Sequence, residues 1–432
     1  MIRMRGVKGW RLARRSGVGH TEENLWNEQD SPVSSTAFEA GRSLGLPSEH
    51  RRGALAFATL FALESLARAL ISTVISVQAY DLLQNNQRVS MLFTVIGIGG
   101  LAATLTIPVL VRLTARRWVY TGGIVLLMTA GALLATHTLA GQAAGMFFRL
   151  VGTACLNITL SLYILDHIRK QDLVKSEPLR LALSTASWGV GPYLGVYLYS
   201  RHGVWSPFVL SIVAAGLVLV VFWYLRLKEF IRPAQKAPPN PLRNIGRFIG
   251  QPRLRLAWVI AFGRSCFWST FFIYVPLLMI GAGMGAEVGG LLISLGNMAL
   301  VTAVFFGRLA RRVGVRQVIA GAMAVLAVSS ILAGLSGTAF PLLAAALLLV
   351  GAVAGAALDG VGGIPFLRAV RARERAEMAG VYRTFIDMSD LLPTMVFSVV
   401  LLFLPLGAVF VVLGSWLAVV ACLSWLYLPK SL

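Results

Sequence analysis

Twelve stretches of this chain are apolar enough and long enough to cross the hydrocarbon of a bilayer. The clearest run over 54–80, 91–111, 143–165 and 256–280, each matching or exceeding the roughly 20 residues that cover about 30 Å of hydrocarbon as a helix. The others run over 118–135, 181–200, 206–225, 289–306, 318–335, 340–358, 379–404 and 408–428. Lipid offers nothing to satisfy backbone amides and carbonyls, so each stretch must close its own hydrogen bonds as a helix. Composition agrees, with 57% hydrophobic residues and only 13% charged ones, about half the charge of an ordinary soluble domain. The expected fold is an all-α membrane protein of twelve transmembrane helices in two pseudo-symmetric six-helix bundles.

The net charge of +21 would suit a nucleic-acid partner if the basic residues formed one patch. They fall instead in alternate loops, and no nucleic acid is expected. Of the 39 lysines and arginines, Arg88 and Arg201 lie in the loops of one side and Arg68, Arg149 and Arg264 lie inside spans. All the rest belong to the other side, with both termini. The positive-inside rule makes that side cytoplasmic, so the expected location is a plasma (inner) membrane with both ends of the chain inside. Residues 1–52 carry charges of both signs without an apolar core, unlike a secretory signal, and read as a basic cytoplasmic tail. Two bundles are expected over 53–227 and 254–432. The linker 228–253 contains Pro233, Pro238, Pro239, Pro241 and Pro252, which rule out one continuous helix. Within it Leu242, Ile245, Phe248 and Ile249 recur at helical spacing, an amphipathic segment suited to the inner membrane surface or, alternatively, to a soluble partner.

The two halves echo each other. Arg68 matches Arg264, the loop Arg112-Leu113-Thr114-Ala115-Arg116 matches Arg308-Leu309-Ala310-Arg311-Arg312, Asp166 matches Asp359, and Pro192 matches Pro393, all at nearly constant offset. Repeats of this kind place a solute cavity between the halves near the midplane, and rocking about it gives alternating access.

Two segments carry a family likeness. Gly307-Arg308-Leu309-Ala310-Arg311-Arg312-Val313-Gly314-Val315-Arg316 resembles the loop signature of the major facilitator transporters, Gly-x-Leu-Ala-Asp-Arg-x-Gly-x-Arg, with Arg311 at the acidic position. The resemblance implies that this loop steadies the cytoplasmic face during rocking. Gly307 would permit close helix approach, and Arg308, Arg312 and Arg316 would meet helix C-termini or carboxylates. Gly191-Pro192-Tyr193-Leu194-Gly195 resembles the Gly-Pro-x-x-Gly core associated with antiporters of that family, with Val196 where a further glycine is usual. Pro192 removes a helix hydrogen bond there, and Gly189, Gly191 and Gly195 admit a neighbouring helix. Arg149 and Gly152 fall where the family often carries Arg-x-x-x-Gly, the glycine one residue early.

Charges inside the membrane need reasons. Glu64 and Arg68 stand four residues apart and share a helix face, either as a structural ion pair or as a proton or solute site. Arg264, at the equivalent place in the second half, either faces the cavity with Arg68 and favours an anion, or reaches to the inner surface. Arg149 pairs or binds backbone carbonyls. Asp387 and Asp390 share one side of the eleventh helix, and two close carboxylates favour a shared proton. Asp387 has Arg383 one turn before it, which leaves Asp390 as the better coupling residue.

Nothing in the sequence suggests an enzyme, a cofactor or a metal centre. There is no phosphate-binding Gly-x-x-x-x-Gly-Lys-Ser/Thr loop, and Cys155, Cys266 and Cys422 stand far apart. The expected function is secondary active transport of a small organic solute, as a monomer in contact with lipid, by proton-coupled efflux. Two alternatives stand beside it: a proton-coupled importer of an organic anion, and a non-transporting sensor or assembly protein with the transporter fold.

Overall fold

A computed structural model describes residues 48–167, 170–225, 241–370 and 374–429. Most of the expected N-terminal tail and the first part of the linker lie outside the described residues. So do the side chains of Arg112 and Asp166, two members of the proposed repeat.

The described residues form helices throughout. In the first half these are α1 (Ser48–Ser72), α2 (Val74–Leu83), α3 (Asn86–Leu113), α4 (Arg116–Ala135), α5 (Leu139–His167), α6 (Lys170–His202) and α7 (Ser206–Tyr224). A short amphipathic helix, α8 (Pro241–Ile249), leads to the second half. There follow α9 (Pro252–Gly281), α10 (Ala286–Met298), α11 (Ala303–Val313), α12 (Val315–Ser336), α13 (Pro341–Val361) and α14 (Ile364–Ala369). The chain ends with α15 (Arg375–Tyr382), α16 (Thr384–Phe403) and α17 (Gly407–Tyr427). The first crossing is α1 with α2, and the eighth is α10 with α11 joined by a 3₁₀ turn over Ala299–Thr302. Eleven crossings satisfy length and composition within the described residues, and α6, whose apolar part is 181–200, supplies the twelfth. The fold is therefore twelve transmembrane helices in two pseudo-symmetric six-helix bundles.

Connections at one end of the bundle are short, as at Gln84–Asn85, where Asn85 Oδ1 caps α3 by accepting from the amides of Gln87 and Arg88 at 2.9 and 3.2 Å. The opposite end carries α8, α14, α15 and both ends of the described chain. Each half has its own apolar core. Leu60, Tyr120, Leu156 and Phe222 belong to the first, and Phe267, Tyr274, Met323 and Phe410 to the second, which also reaches Ala79 and Val89.

Buried amides stitch the first half together where α1 gives way to α2. Gln78 Nε2 donates to the Leu134 carbonyl at 2.8 Å, and Gln142 Nε2 donates to the Ile75 carbonyl at 2.9 Å. Beside this break, α6 lies against the backbone of α1. A Cβ on Gly195 would stand 1.8 Å from the Leu70 carbonyl oxygen, and one on Gly191 would stand 2.5 Å from Ala69 Cβ. These glycines of the Gly-Pro-x-x-Gly segment therefore serve contact within the first half.

The halves meet along two related seams, α3 against α16 and α6 against α10. In the first, Gly97 faces Leu391. In the second, Gly290 faces Val196 and the Pro192 carbonyl, and the Tyr193 amide donates to Ser294 Oγ at 3.0 Å. Further contacts between halves lie toward the short-loop end: the Arg201–Glu287 ion pair at 2.8 Å and the buried hydroxyl contact of Ser90 with Tyr274.

α8 does not simply float. Phe248 is buried with Leu254, Phe366, Val370 and Met378, and Arg247 pairs with Glu374 at 3.2 Å. Ile245 and Ile249 remain exposed.

Gly195→Ala is expected to lower stability by about 1–3 kcal/mol through overpacking against α1, read as a drop in Tm of the detergent-purified protein. Gly216→Ala, where a Cβ meets nothing within 4 Å, should change stability by no more than about 1 kcal/mol.

Candidate functional site

The intramembrane charges converge on the space between the bundles, and most of them are matched. On α1, Arg68 Nη1 donates to Glu64 Oε1 at 2.8 Å and to Asn157 Oδ1 of α5 at 3.1 Å. Glu64 is fully buried, while Asn157 is exposed to the interior space. The four-residue spacing puts both charges on one face, so each offsets the desolvation of the other. Tyr120 of α4 is buried within their electrostatic reach.

On the second half, Arg264 of α9 donates through Nη1 to Asp359 Oδ1 of α13 at 2.6 Å. Trp268 Nε1, one turn along α9, donates to the other Asp359 oxygen at 3.0 Å. The Arg264 guanidinium also lies 5.6 Å from the centre of the Phe385 ring, a cation–π contact. The two equivalent arginines are therefore not a bare pair awaiting an anion. Each holds a carboxylate from its own half.

Asp390 sits about two turns into α16 and is exposed. The Ser269 hydroxyl of α9 donates to it, and Arg149 of α5 and Asp387 lie within electrostatic range. An exposed side chain whose partners stand on α5 of one half and α9 of the other borders the space between the halves. Asp387 is also exposed and lies in the field of Arg383. Arg149 feels Asp390 from one side and Arg68 from the other, and its buried Nε has no hydrogen-bond partner. Trp188 of α6 lies edge-on to Phe272 of α9 at 5.5 Å, an aromatic contact between the halves.

Asn157, Ser269, Trp268 and Asp359 are the additions that the structure makes. Asp359 reads in the sequence as a solvated boundary residue, because nothing along the chain links it to Arg264, 95 positions away. Its repeat partner Asp166 was the available hint.

The signature loop differs from the expectation at Gly307. Nothing lies within 4 Å of a Cβ built there, so no helix packs closely on it. Gly314 is needed for another reason, since it joins α11 to α12 at φ 99°, where side chains are strained. Arg316 donates to the Trp425 carbonyl in the last turn of α17 and lies 4.9 Å from the centre of the Trp425 ring. An arginine on a helix C-terminus matches the dipole there. Arg308 and Arg312 are exposed at the same end.

This fold and these spacings have known counterparts. The family model for the Major Facilitator Superfamily matches residues 57–392 of the 432, and the chain belongs to that superfamily. It is accordingly a multi-pass membrane protein with a transporter's architecture. A crystal structure of a POT family transporter in complex with a thioalcohol-conjugated peptide has a similar fold. Its TM-score is 0.70 at 12% identity, over 86% of this chain and 95% of that one. The nucleoside transporter NupG is similar with a TM-score of 0.65 at 14% identity, over 86% of this chain and 98% of that one. At such identities the likeness is one of fold alone. No curated protein sequence matches the chain.

If the Glu64–Arg68 pair is self-neutralising, Glu64→Ala should cost about 3 kcal/mol by stranding a cation. The double variant Glu64→Ala/Arg68→Ala should recover part of that loss, which Tm values of the purified proteins would reveal.

Proposed function

We propose that the chain is a proton-coupled secondary transporter that exports a small organic solute by alternating access. The observation that carries this reading is Asp390: a carboxylate in mid-membrane, open to the void between halves and in the field of Arg149 across it. Such a group has two competing ways to be neutralised, a proton or a cationic partner, and switching between them is what coupling requires. Asp387, Arg149 and Ser269 are the polar groups whose fields Asp390 feels. Glu64, Arg68, Arg264 and Asp359 supply two balanced pairs that keep the rest of the path polar without net charge.

Export is favoured by the Gly-Pro-x-x-Gly segment. Its glycines seat α6 on α1, while its proline carbonyl and the Tyr193 amide meet Gly290 and Ser294 in the second half. One short segment thus touches both a structural helix of its own bundle and the partner bundle. With both termini in the cytoplasm, as the loop charges favour, the seam at the short-loop end is the outer closure and the void opens inward. The loop signature acts here through Gly314 and Arg316, which hold α11, α12 and α17 in register. The same arrangement could serve uptake, and the observation favouring that second reading is the lack of a bound carboxylate on Arg149.

Asp390→Asn should abolish proton-driven flux in proteoliposomes, and whatever solute counterflow remains should no longer respond to a pH gradient. Proton-driven flux at the wild-type rate in that variant would remove Asp390 from the coupling path. A pH gradient that drives only inward solute movement in oriented vesicles would replace export with uptake.

A further inference from the structure

Three arginines stand inside the spanning helices, and their surroundings differ in one respect. Arg68 holds Glu64 at 2.8 Å and Arg264 holds Asp359 at 2.6 Å. Among the described residues Arg149 holds no carboxylate and makes no hydrogen bond, and its buried Nε has no partner. A guanidinium stays charged at any physiological pH, so a buried one that lacks a mate carries a large desolvation cost. Arg68 adds to that cost by repulsion, and only Asp390 offsets it, through space.

Asp390 is the complementary case. It takes a hydrogen bond from Ser269, yet it remains exposed to the void and has Asp387 one turn away as a like charge. The void therefore presents one positive group from α5 of the first half and one negative group from α16 of the second. A solute carrying a single charge would satisfy one wall and leave the other unmatched. A solute carrying both would satisfy the two together and would bridge the halves.

We infer that Arg149 and Asp390 form the binding site for a small zwitterionic organic solute, its anionic group on Arg149 and its cationic group on Asp390. This rests on the reading of the inter-bundle void as the transport path, and it names the class of solute that path admits. Arg149 suits a carboxylate because its planar fork offers parallel donors. Asp390 suits an ammonium because its carboxylate accepts from several directions and is already oriented by Ser269. Phe272, one turn along α9 from Ser269, meets Trp188 between the halves and offers apolar surface for the remainder of the solute.

The test is ligand-induced thermal stabilisation of the full-length protein in detergent, using probes matched in skeleton and differing in charge. Phenylalanine and 5-aminovalerate are the zwitterions, with short and long charge separations. The anions 3-phenylpropionate and valerate lack the ammonium, and the cations 2-phenylethylamine and pentylamine lack the carboxylate. At least one zwitterion is expected to raise Tm in a saturable way, well above both of its single-charge relatives. Arg149→Gln and Asp390→Asn should each weaken that binding by about 30-fold or more, with Arg149→Lys recovering part of the loss. The assignment is overturned if an anion or a cation binds as tightly as the matching zwitterion, if no zwitterion binds, or if Arg149→Gln binds like wild type. The comparison among probes on wild-type protein decides the matter even if a variant fails to fold. Zwitterion binding without proton-driven flux would support this site and sink the coupling; proton-driven flux of a solute with one charge would do the reverse.

Discussion

Everything in this molecule depends on how charges are neutralised where water is scarce. A mid-membrane charge on an isolated helix costs at least about 2.5 kcal/mol, and this chain carries several. It meets the cost locally wherever it can. Glu64 and Arg68 cancel on one helix, while Arg264 and Asp359 cancel between neighbouring helices of one bundle. Both pairs stay within a half and move with it as rigid parts. Arg149 and Asp390 are the deep opposite charges that feel each other across the halves, whereas Arg201 and Glu287, which also pair across them, are exposed at the short-loop end. Pairing inside a bundle is structural, whereas pairing across the bundles is the part that relative motion alters.

Apolar packing is arranged around the same distinction. Gly191 and Gly195 bring α6 against the α1 backbone at the α1–α2 break, leaving almost no freedom between those helices. The seams between halves are looser in kind. α3 against α16 and α6 against α10 are equivalent under the pseudo-twofold that relates the bundles, and each uses a glycine facing a branched side chain. Small residues let the helices approach without long side chains interlocking, so a seam can part without repacking a core.

The amount of this that can be read from sequence follows from the range of the interactions. The spans are local properties of hydrophobic runs, and their number and type are legible because lipid permits so few alternatives. The Glu64–Arg68 pair is legible because helical spacing alone puts the two on one face. Arg264 with Asp359 is not, because its partner lies on another helix and only the packing of α9 on α13 brings them together. Asn157 and Ser269 escape for the same reason: a polar residue in an apolar run carries no mark of what it faces. Gly307 shows the converse. Its motif suggests a close contact, but a glycine within α11 with open space around it packs closely against no other helix among the described residues, while Gly314, seven residues later, is fixed by backbone conformation instead.

The closed end explains how such a machine can be stable yet reversible. The links named there are an exposed ion pair, Arg201 with Glu287, one amide-to-hydroxyl bond from Tyr193 to Ser294, and the Ser90–Tyr274 hydroxyl contact. Each is a polar link whose partners could instead bond to water once the seam opens, and exposed ion pairs in particular hold weakly. Most of each apolar core stays within its half in that motion, and only the reach of the second core to Ala79 and Val89 must part. Opening the short-loop end therefore exchanges weak bonds for hydration, while the cost of leaving Arg149 and Asp390 unmatched falls on the space between them. On the proposed reading, a solute or proton that settled those two charges would change the balance between the halves, and small free-energy differences there would select between two packings of rigid bodies.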